Sequence, residues 1–310
     1  MLFALLRNIK INPIKSAITT PSERFIGTIN PLVNVPFVIF EKLTIIKENI
    51  ETSGLKVTLA VVIVGDDPAS KIYVKNKAKA CAETGVVSIV RELPADCSQE
   101  SLENTISELA ADESVNGILL QLPLPAGLNE RAALAKIPVE KDVDGFCESN
   151  VGKLAMNRGG IVACTPFGVM KMLESANVNL CGKRAVVLGR SNTVGRPMAM
   201  LLLNADATVT ICHSKTQNLK EICREADILI AAIGKKKFVT VDMVKPGATV
   251  IDVGINRDES GKICGDVDFE NVKNVAGAIS PVPGGVGPMT IAMLLYNTFL
   301  AAKAQSKKNI

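Results

Sequence analysis

Tryptophan is absent from this sequence, histidine occurs once, and aromatic residues make up only 4% of the chain. Large aromatic side chains therefore contribute little to the core, which valine, isoleucine, leucine and alanine must fill. Cores built from these residues are typical of parallel β-sheets that helices cover on both faces. The 310 residues are enough for two such domains, so the first expectation is an α/β protein.

Patterns for binding metal or crossing a membrane are also absent. The eight cysteines are scattered, no two form a C-x-x-C pair, and His213 is the sole histidine, so we expect no metal site. No apolar run reaches the roughly 18 residues that a membrane-spanning helix needs, and no membrane association is expected. Isolated cysteines are typical of a reducing compartment, which indicates a cytoplasmic protein.

Charge is nearly balanced, with a net charge of +4. Lysines cluster only at residues 235–237, without interleaved aromatic residues, so nucleic-acid binding is not expected. Residues 1–22 contain basic residues and no acid, since the first acidic residue is Glu23. We favour a divergent extension here and expect its deletion to leave activity unchanged. The alternatives are a mitochondrial or other transit peptide and a strand that pairs with residues 59–64.

Apolar strand-like runs alternate with helical patterns from residue 54 onward. Such a series predicts βαβ units with right-handed crossovers. We expect two α/β lobes with a cleft between them, because residues 158–160 interrupt the pattern. Strands are predicted at residues 59–64, 86–93, 117–122, 184–188, 207–212, 228–233 and 249–253, and terminal helices at about 40–50 and 289–304. A further helix is predicted between Asp67, as N-cap before Pro68, and Gly85, as its C-terminal stop.

A glycine turn follows the predicted strand at residues 184–188. Gly189 begins this turn and Gly195 lies at the start of the next predicted helix. Backbone N–H groups in such turns approach a pyrophosphate, and the helix N-terminus favours its negative charge. Ser191 occupies the second glycine position of the G-x-G-x-x-G pattern, so the motif departs from its usual form. The context nevertheless predicts a Rossmann-type dinucleotide-binding domain.

The following strand indicates which dinucleotide binds. NAD sites usually have an acidic residue at its end, but His213, Ser214 and Lys215 occur there instead. Together with Arg190, Ser214 and Lys215 offer the cationic and hydroxyl donors that a 2′-phosphate needs, which predicts NADP. We expect His213 to line the adenosine end of the pocket rather than act as a base, because no nearby carboxylate orients it.

Several polar residues follow buried segments of the first half. Tyr73 and Lys77 are four residues apart on a predicted helix and share one face, which we expect to be an exposed face of the cleft. Gln121 follows a buried strand, and Asp144 lies in a loop at a strand-to-helix crossing. Residues 281–288 include three prolines and three glycines, which indicates a rigid loop that contacts a ligand.

Taken together, these motifs resemble the bifunctional methylenetetrahydrofolate dehydrogenase/methenyltetrahydrofolate cyclohydrolase family. The resemblance extends over residues 59–302 and follows the family's order. Its motifs are residues 64–70 with Tyr73 and Lys77, then residues 117–125, 141–146, 189–195, 213–216, 250–256 and 281–290. Residues 1–37 lack the lead-in that the family normally has.

The resemblance implies a role for each candidate. Lys77 matches the catalytic lysine, Gln121 its polar partner, Tyr73 the ring that stacks on the folate and Asp144 the acid that anchors the pterin. Further folate contacts are implied for Leu122, Pro283, Gly284, Gly285 and Val286. Cofactor contacts are implied for Thr165, Gly189, Arg190, Ser191, Val194, Gly195, His213, Ser214 and Ile255.

The implied reaction oxidises 5,10-methylenetetrahydrofolate with NADP⁺ and then hydrolyses the methenyl product to 10-formyltetrahydrofolate, in one-carbon folate metabolism. The implied domains are an extension (residues 1–37), a catalytic folate-binding lobe (38–163, completed by a helix at 287–310) and an NADP-binding domain (164–286). The family is usually a homodimer. A dehydrogenase-only member, a different NADP-dependent small-acid dehydrogenase and a non-catalytic regulator are the alternatives, and Lys77 with Gln121 favours the bifunctional enzyme.

Overall fold

The computed structural model describes residues 35–307, which contain two parallel β-sheets surrounded by helices. The expectations about residues 1–22, and most of the predicted extension, concern residues outside this range. The strands of the first sheet are β1 (Thr58–Val64), β2 (Val87–Leu93) and β3 (Gly117–Leu120). The helices of this half are α1 (Val35–Ser53), α2 (Pro68–Thr84), α3 (Gln99–Ala111), α4 (Glu130–Leu134) and α5 (Glu148–Ala155).

Strand β1 lies in the middle of the first sheet. The order is β2-β1-β3, all parallel, and every residue of β1 is buried because both sheet faces are covered. Strand β1 is therefore not an edge of the described sheet, as the alternative of pairing with residues 1–22 assumes; residues 1–22 themselves lie outside the described range.

Local signals position helix α2, which contains Tyr73 and Lys77. The side chain of Asp67 caps its N-terminus by accepting a hydrogen bond from Ser70 N at 2.7 Å, and Pro68 occupies the first helical position. Gly85 ends the helix in the left-handed conformation, with φ of 82°. The predicted bounds of this helix are confirmed.

The second sheet has the strand order β10-β7-β6-β4-β5, with all neighbours parallel. Because β5 and β6 lie on opposite sides of β4, the chain reverses direction across the sheet there, and ligands bind beyond such a point in doubly wound folds. The Rossmann-like α/β architecture is confirmed. The strands are β4 (Arg184–Leu188), β5 (Thr208–Cys212), β6 (Ile228–Ala231), β7 (Thr249–Asp252) and β10 (Ala278–Ile279), with a hairpin of β8 (Asn256–Arg257) and β9 (Ile263–Cys264).

The helices of the second half surround this sheet and return the chain to the first one. They are α6 (Cys164–Ser175), α7 (Gly195–Asn204), α8 (Leu219–Arg224), α9 (Phe269–Val272) and α10 (Val286–Ser306). The side chain of Gln305 in α10 donates to Asn116 O and Glu140 O, both in the first half of the chain. The domain boundaries remain predictions. No helix within residues 35–307 is long and apolar enough to cross a membrane.

Several predicted element ends differ from the structure. Helix α1 begins earlier, at Val35, and α10 extends in both directions to Val286 and Ser306. Strand β6 ends at Ala231 rather than at residue 233, because the N–H of Ile233 donates to a buried carboxylate instead of a neighbouring strand. Strands β8, β9 and β10 and helices α4, α5 and α9 are short elements that the sequence pattern does not reveal.

Candidate active site

Lys77 lies on the buried side of helix α2, with only 6% of its surface exposed. Its Nζ donates a hydrogen bond to Gln121 Oε1 at 2.9 Å. The expectation that Lys77 lies on an exposed face was wrong, because this side of α2 also carries Val74 and Cys81, which pack into the core. The amine is therefore held away from bulk water.

Gln121 is oriented by hydrogen bonds at both its backbone and its amide. Its N–H donates to Val62 O at 2.8 Å, which continues the β1–β3 pairing beyond the end of β3. Its side-chain Nε2 donates to Leu122 O at 2.7 Å, and this bond leaves Oε1 as the acceptor for Lys77. The half-buried Leu122 thus contributes a carbonyl that fixes the lysine's partner.

Tyr73 lies next to Lys77, as the four-residue spacing predicts. Lys77 Nζ is 5.3 Å from the centre of the Tyr73 ring. The hydroxyl donates to Gly287 O at 3.4 Å, and a β-carbon at Gly287 would lie 3.3 Å from the same hydroxyl. Partial burial raises the pKa of Tyr73 above its ordinary value, so the phenol stays protonated.

Asp144 follows the short segment that pairs with β3 at Asp142. Asp142 is buried, and its carboxylate accepts hydrogen bonds from the N–H groups of Gly145, Phe146 and Cys147. These bonds fold the chain tightly around Asp144. Desolvation raises the pKa of Asp144 to about 6, although the nearby charge of Lys77 opposes the shift.

Burial and neighbouring charges act in opposite directions on the amine of Lys77. Burial lowers the pKa of Lys77 below its ordinary value, while Asp144 acts in the opposite direction. A buried amine with a lowered pKa, beside a hydrogen-bond acceptor and a carboxylate, can exchange a proton more readily than an exposed lysine. A flat aromatic ring adjoins it. This arrangement suits proton transfer on a planar substrate.

Asn297 is a supporting residue that the sequence does not predict. It lies on the buried face of α10, and its Nδ2 donates to Val143 O and Val162 O, both at 2.9 Å. Cys164 Sγ donates to the same Val143 carbonyl at 3.3 Å and also bonds to Asp144. Side chains of helices α10 and α6 therefore hold the backbone next to Asp144 in place. No local pattern signals this role, because its partners are distant in sequence.

The proline- and glycine-rich loop leads directly into α10. Pro283 and Gly284 are exposed, whereas Gly285 and Val286 are buried where the helix begins. Farther along α10, the Thr290 hydroxyl lies 3.0 Å from that of Thr165 in α6. Because the Tyr73 hydroxyl bonds to Gly287, the loop adjoins the ring and the lysine. The predicted folate contacts at residues 283–286 therefore lie beside the catalytic candidates.

The glycine turn lies at the carboxyl end of β4. Gly189 has φ of 117°, and a β-carbon there would lie 2.1 Å from Ala232 O, so no larger residue fits. A β-carbon at Gly195 would lie 2.2 Å from Gly189 O, which explains the second glycine. Ser191 Oγ accepts from Val194 N and Gly195 N at 3.1 and 3.3 Å. The backbone is thus shaped for close approach to a dinucleotide phosphate.

Neighbouring strands bring the predicted 2′-phosphate residues to the same edge. Leu188 of β4 pairs with Cys212 of β5, so the residues that follow each strand leave the sheet side by side. Arg190, Ser214 and Lys215 are exposed there and available to a phosphate. These donors fit NADP better than an acidic residue would.

His213 and Ile255 border the same edge. His213 is half-buried, and its Nδ1 accepts the N–H of Lys215 at 3.1 Å. This bond belongs to a turn, since His213 N also donates to Thr216 Oγ1 at 2.9 Å. Ile255 follows β7 and is 61% exposed, so its side chain is accessible to a ligand.

Comparisons with known proteins identify the family. The family described as "Tetrahydrofolate dehydrogenase/cyclohydrolase, catalytic domain" matches residues 39–144, and the one described as "Tetrahydrofolate dehydrogenase/cyclohydrolase, NAD(P)-binding domain" matches residues 163–306. The "Bifunctional protein FolD" of Methanoculleus marisnigri is 57% identical over 269 residues, which cover 87% of this chain and 95% of the relative.

The chain belongs to the tetrahydrofolate dehydrogenase/cyclohydrolase family. A crystal structure of the bifunctional FolD enzyme from Campylobacter jejuni is 49% identical, with a TM-score of 0.86, and covers 89% of this chain and 99% of that one. The Trypanosoma brucei FolD structure, complexed with NADP cofactor and inhibitor, is 39% identical with a TM-score of 0.83, covering 91% and 98%. The predicted family is confirmed.

More distant structures share only the fold with this family member. Shikimate 5-dehydrogenase from Thermus thermophilus, in complex with NADP(H) and shikimate, is 17% identical with a TM-score of 0.51. The alternative of a small-acid dehydrogenase is therefore supported only by the shared architecture, which does not by itself establish function.

Proposed function

We propose that this chain oxidises 5,10-methylenetetrahydrofolate with NADP⁺ and hydrolyses the resulting 5,10-methenyltetrahydrofolate to 10-formyltetrahydrofolate at one site. The observation that carries the proposal is the buried Lys77 amine, bonded to Gln121 at 2.9 Å and 5.3 Å from the Tyr73 ring. The relatives at 49% to 57% identity are named as bifunctional enzymes.

The dehydrogenase step requires the folate and NADP⁺ to be held side by side in a fixed orientation. Bound NADP⁺ would supply the hydride acceptor for the methylene carbon. The Gly189 turn would hold its pyrophosphate, Arg190 and Ser214 its 2′-phosphate, and Thr165 the nicotinamide end. The Tyr73 ring stacks on the folate, and the carboxylate of Asp144 accepts hydrogen bonds from the pterin. Loss of the hydride leaves a methenyl cation beside Lys77.

The hydrolytic step uses Lys77 as the general base. The neutral amine removes a proton from a water molecule, and the oxygen of that water bonds to the methenyl carbon. As the bond between this carbon and N5 breaks, the hydroxyl proton moves to N5 and the carbonyl of the formyl group forms. Lys77 then releases its proton to solvent. Gln121 keeps the amine in place throughout.

An absorbance experiment tests the two activities together. Purified protein is mixed with 5,10-methylenetetrahydrofolate and NADP⁺ while NADPH and the methenyl product are followed at separate wavelengths. We expect NADPH to form and the methenyl absorbance to rise and then decay at an enzyme-dependent rate. Accumulation of methenyl product without accelerated decay would indicate a dehydrogenase-only member. No NADPH would refute the proposed substrate.

A homodimer is part of this proposal. Strand β5 forms an edge of the second sheet as described; Ile211 within β5 is 41% exposed, and Leu203 in helix α7 is 62% exposed. Exposed edges and apolar side chains of this kind favour association with a second copy. Light scattering should give a dimer mass, and a monomer at micromolar concentration would contradict it.

A cytoplasmic location is proposed as well. The free thiols of the eight cysteines suit a reducing compartment. An organelle remains the alternative if residues 1–22 act as a transit peptide. Expression of the chain with and without these residues, followed by fractionation, separates the two locations.

A further inference from the structure

Two buried acids in the second half of the chain have no role in the site described above. Asp266 is completely buried and Asp252 is 2% exposed. We propose that Asp266 is a positioning residue that holds two cofactor loops, residues 232–235 and 254–256, in the conformation that binds NADP. This proposal rests on the proposed function, because it concerns the cofactor of that reaction.

The carboxylate of Asp266 accepts four hydrogen bonds from these two loops. Its Oδ2 accepts the N–H groups of Ile233 and Gly234 at 2.7 and 3.0 Å. Its Oδ1 accepts the N–H of Lys235 at 2.8 Å and the side-chain Nδ2 of Asn256 at 2.9 Å. One side chain therefore ties the segment after β6 to the segment after β7.

The first of these loops borders the glycine turn. Ala232 N donates to Leu188 O at 2.8 Å, and the Ala232 carbonyl is the atom that a β-carbon at Gly189 would meet at 2.1 Å. The second loop contains Ile255, the exposed residue that the family resemblance assigns to the cofactor. A shift of either loop would therefore alter the surface on which the dinucleotide lies.

The chemistry of the contact requires a carboxylate. Three successive backbone N–H groups converge on it, which is the arrangement that binds anions such as phosphate in other proteins. All four partners are donors, and a carboxylate offers only acceptors. An asparagine would place its own N–H₂ group against at least one of these donors, so part of the network would be lost.

Asp266 itself is held independently of its carboxylate. Asp252 Oδ1 accepts Asp266 N and Asp252 Oδ2 accepts Val267 N, both at 2.9 Å. A β-carbon at Gly254 would lie 2.2 Å from Asp266 Oδ1, so the second loop contacts the acid directly. Removing the charge of Asp266 should therefore loosen the loops while leaving the backbone that carries Asp266 in place.

The test compares Asp266→Asn with Asp258→Asn in the full-length protein. Asp258 is a matched control, because it lies in the nearby hairpin and bonds only within its own turn, to Ser260 and Lys262. NADPH affinity is measured by calorimetry, and the cyclohydrolase rate is measured without nucleotide. We expect Asp266→Asn to weaken NADPH binding and raise the KM for NADP⁺ about 10- to 100-fold, with methenyl hydrolysis within about twofold of wild type. Asp258→Asn should match wild type in all three measurements.

Unchanged NADPH affinity in folded Asp266→Asn would overturn the proposal. A parallel loss of the cyclohydrolase would also overturn it, because a general structural role would affect both halves of the enzyme. If Asp266→Asn does not fold, the Asn256→Ala variant provides the test instead, because it removes only one of the four hydrogen bonds to the Asp266 carboxylate. It should weaken NADPH binding several-fold, and unchanged affinity refutes the proposal. Wild-type protein that fails to reduce NADP⁺ would instead refute the proposed function.

Discussion

Replacing Lys77 with methionine tests whether its amine is needed for catalysis rather than for folding. Methionine has a similar length and fills the same buried space without an amine. Loss of a general base lowers the rate by about 10²- to 10⁴-fold, or about 2.7 to 5.4 kcal/mol of transition-state free energy. We therefore expect Lys77→Met to lose at least about 99% of the enzyme-dependent methenyl hydrolysis.

The same change should have little effect on the free energy of unfolding. Gln121 Oε1 loses its donor, which costs about 1–3 kcal/mol if no other donor replaces it. Removing the desolvated amine acts in the opposite direction, because an apolar side chain does not carry the desolvation cost of a buried polar group. We expect the two effects to offset each other to within about 1–2 kcal/mol.

The assay follows the decay of methenyl absorbance, corrected for the spontaneous rate, together with thermal unfolding by circular dichroism. Lys75→Met is the matched control, because Lys75 lies on the same helix with its side chain exposed. This control should keep the wild-type rate. A folded Lys77→Met protein with a hydrolysis rate within threefold of wild type would refute the assigned role of Lys77.

Three further predictions concern the cofactor, the folate anchor and the N-terminus. Arg190→Ala should raise the KM for NADP⁺ about tenfold and that for NAD⁺ little, because only NADP carries the 2′-phosphate; equal losses would place Arg190 at the pyrophosphate or in the fold. The folate KM should fall as pH rises through about 6, where Asp144 ionises, and Asp144→Asn should abolish this dependence. Because the folded-state pKa of Asp144 is raised, its ionisation lowers the free energy of unfolding as pH rises from about 4 to 6. Asp144→Asn should therefore unfold at no lower a temperature than wild type at pH 7. Deletion of residues 1–22 should leave both activities and the dimer unchanged, and an aggregated or early-melting product would contradict the interpretation of this segment as an extension.

Features that depend on short stretches of chain could be predicted from the sequence. The Asp67 cap, the proline after it and Gly85 define both ends of α2 because each acts within one turn. The Gly189 turn was recognisable for the same reason. Alternation of strands and helices was enough for the α/β fold, since the periodicity of apolar residues is itself a local property.

Features that depend on distant contacts could not be predicted. Lys77 was expected to be exposed because a Tyr–Lys pair on a helix usually faces solvent, and only the packing of α2 into the core shows otherwise. In the sequence, Asn297 is a single polar residue within an apolar helix. Its side chain nevertheless donates hydrogen bonds to the carbonyls of Val143 and Val162, more than 130 positions earlier. Asp266 gave no signal either, because the three backbone N–H groups that it binds lie more than 30 positions earlier in the chain.

The proposed order of the two reactions follows from the charges at Lys77. Burial lowers the pKa of its amine and Asp144 partly restores it, so the protonation state depends on any further charge nearby. Hydride removal creates a methenyl cation beside the amine, and a neighbouring positive charge lowers the pKa further. Dehydrogenation thus favours the neutral form of the amine, which is the form that hydrolysis needs.

This argument predicts a measurable difference between two pH profiles of methenyl hydrolysis. The value of kcat reports the pKa of Lys77 in the complex with the cation, and kcat/KM reports that of the free enzyme. Both should rise with pH as the amine loses its proton, and the midpoint for kcat should lie at lower pH because the bound cation repels that proton. Gln121→Glu, which adds a carboxylate beside the amine, should move both midpoints to higher pH. Midpoints that coincide, or a kcat midpoint at the higher pH, would show that the cation does not control the base.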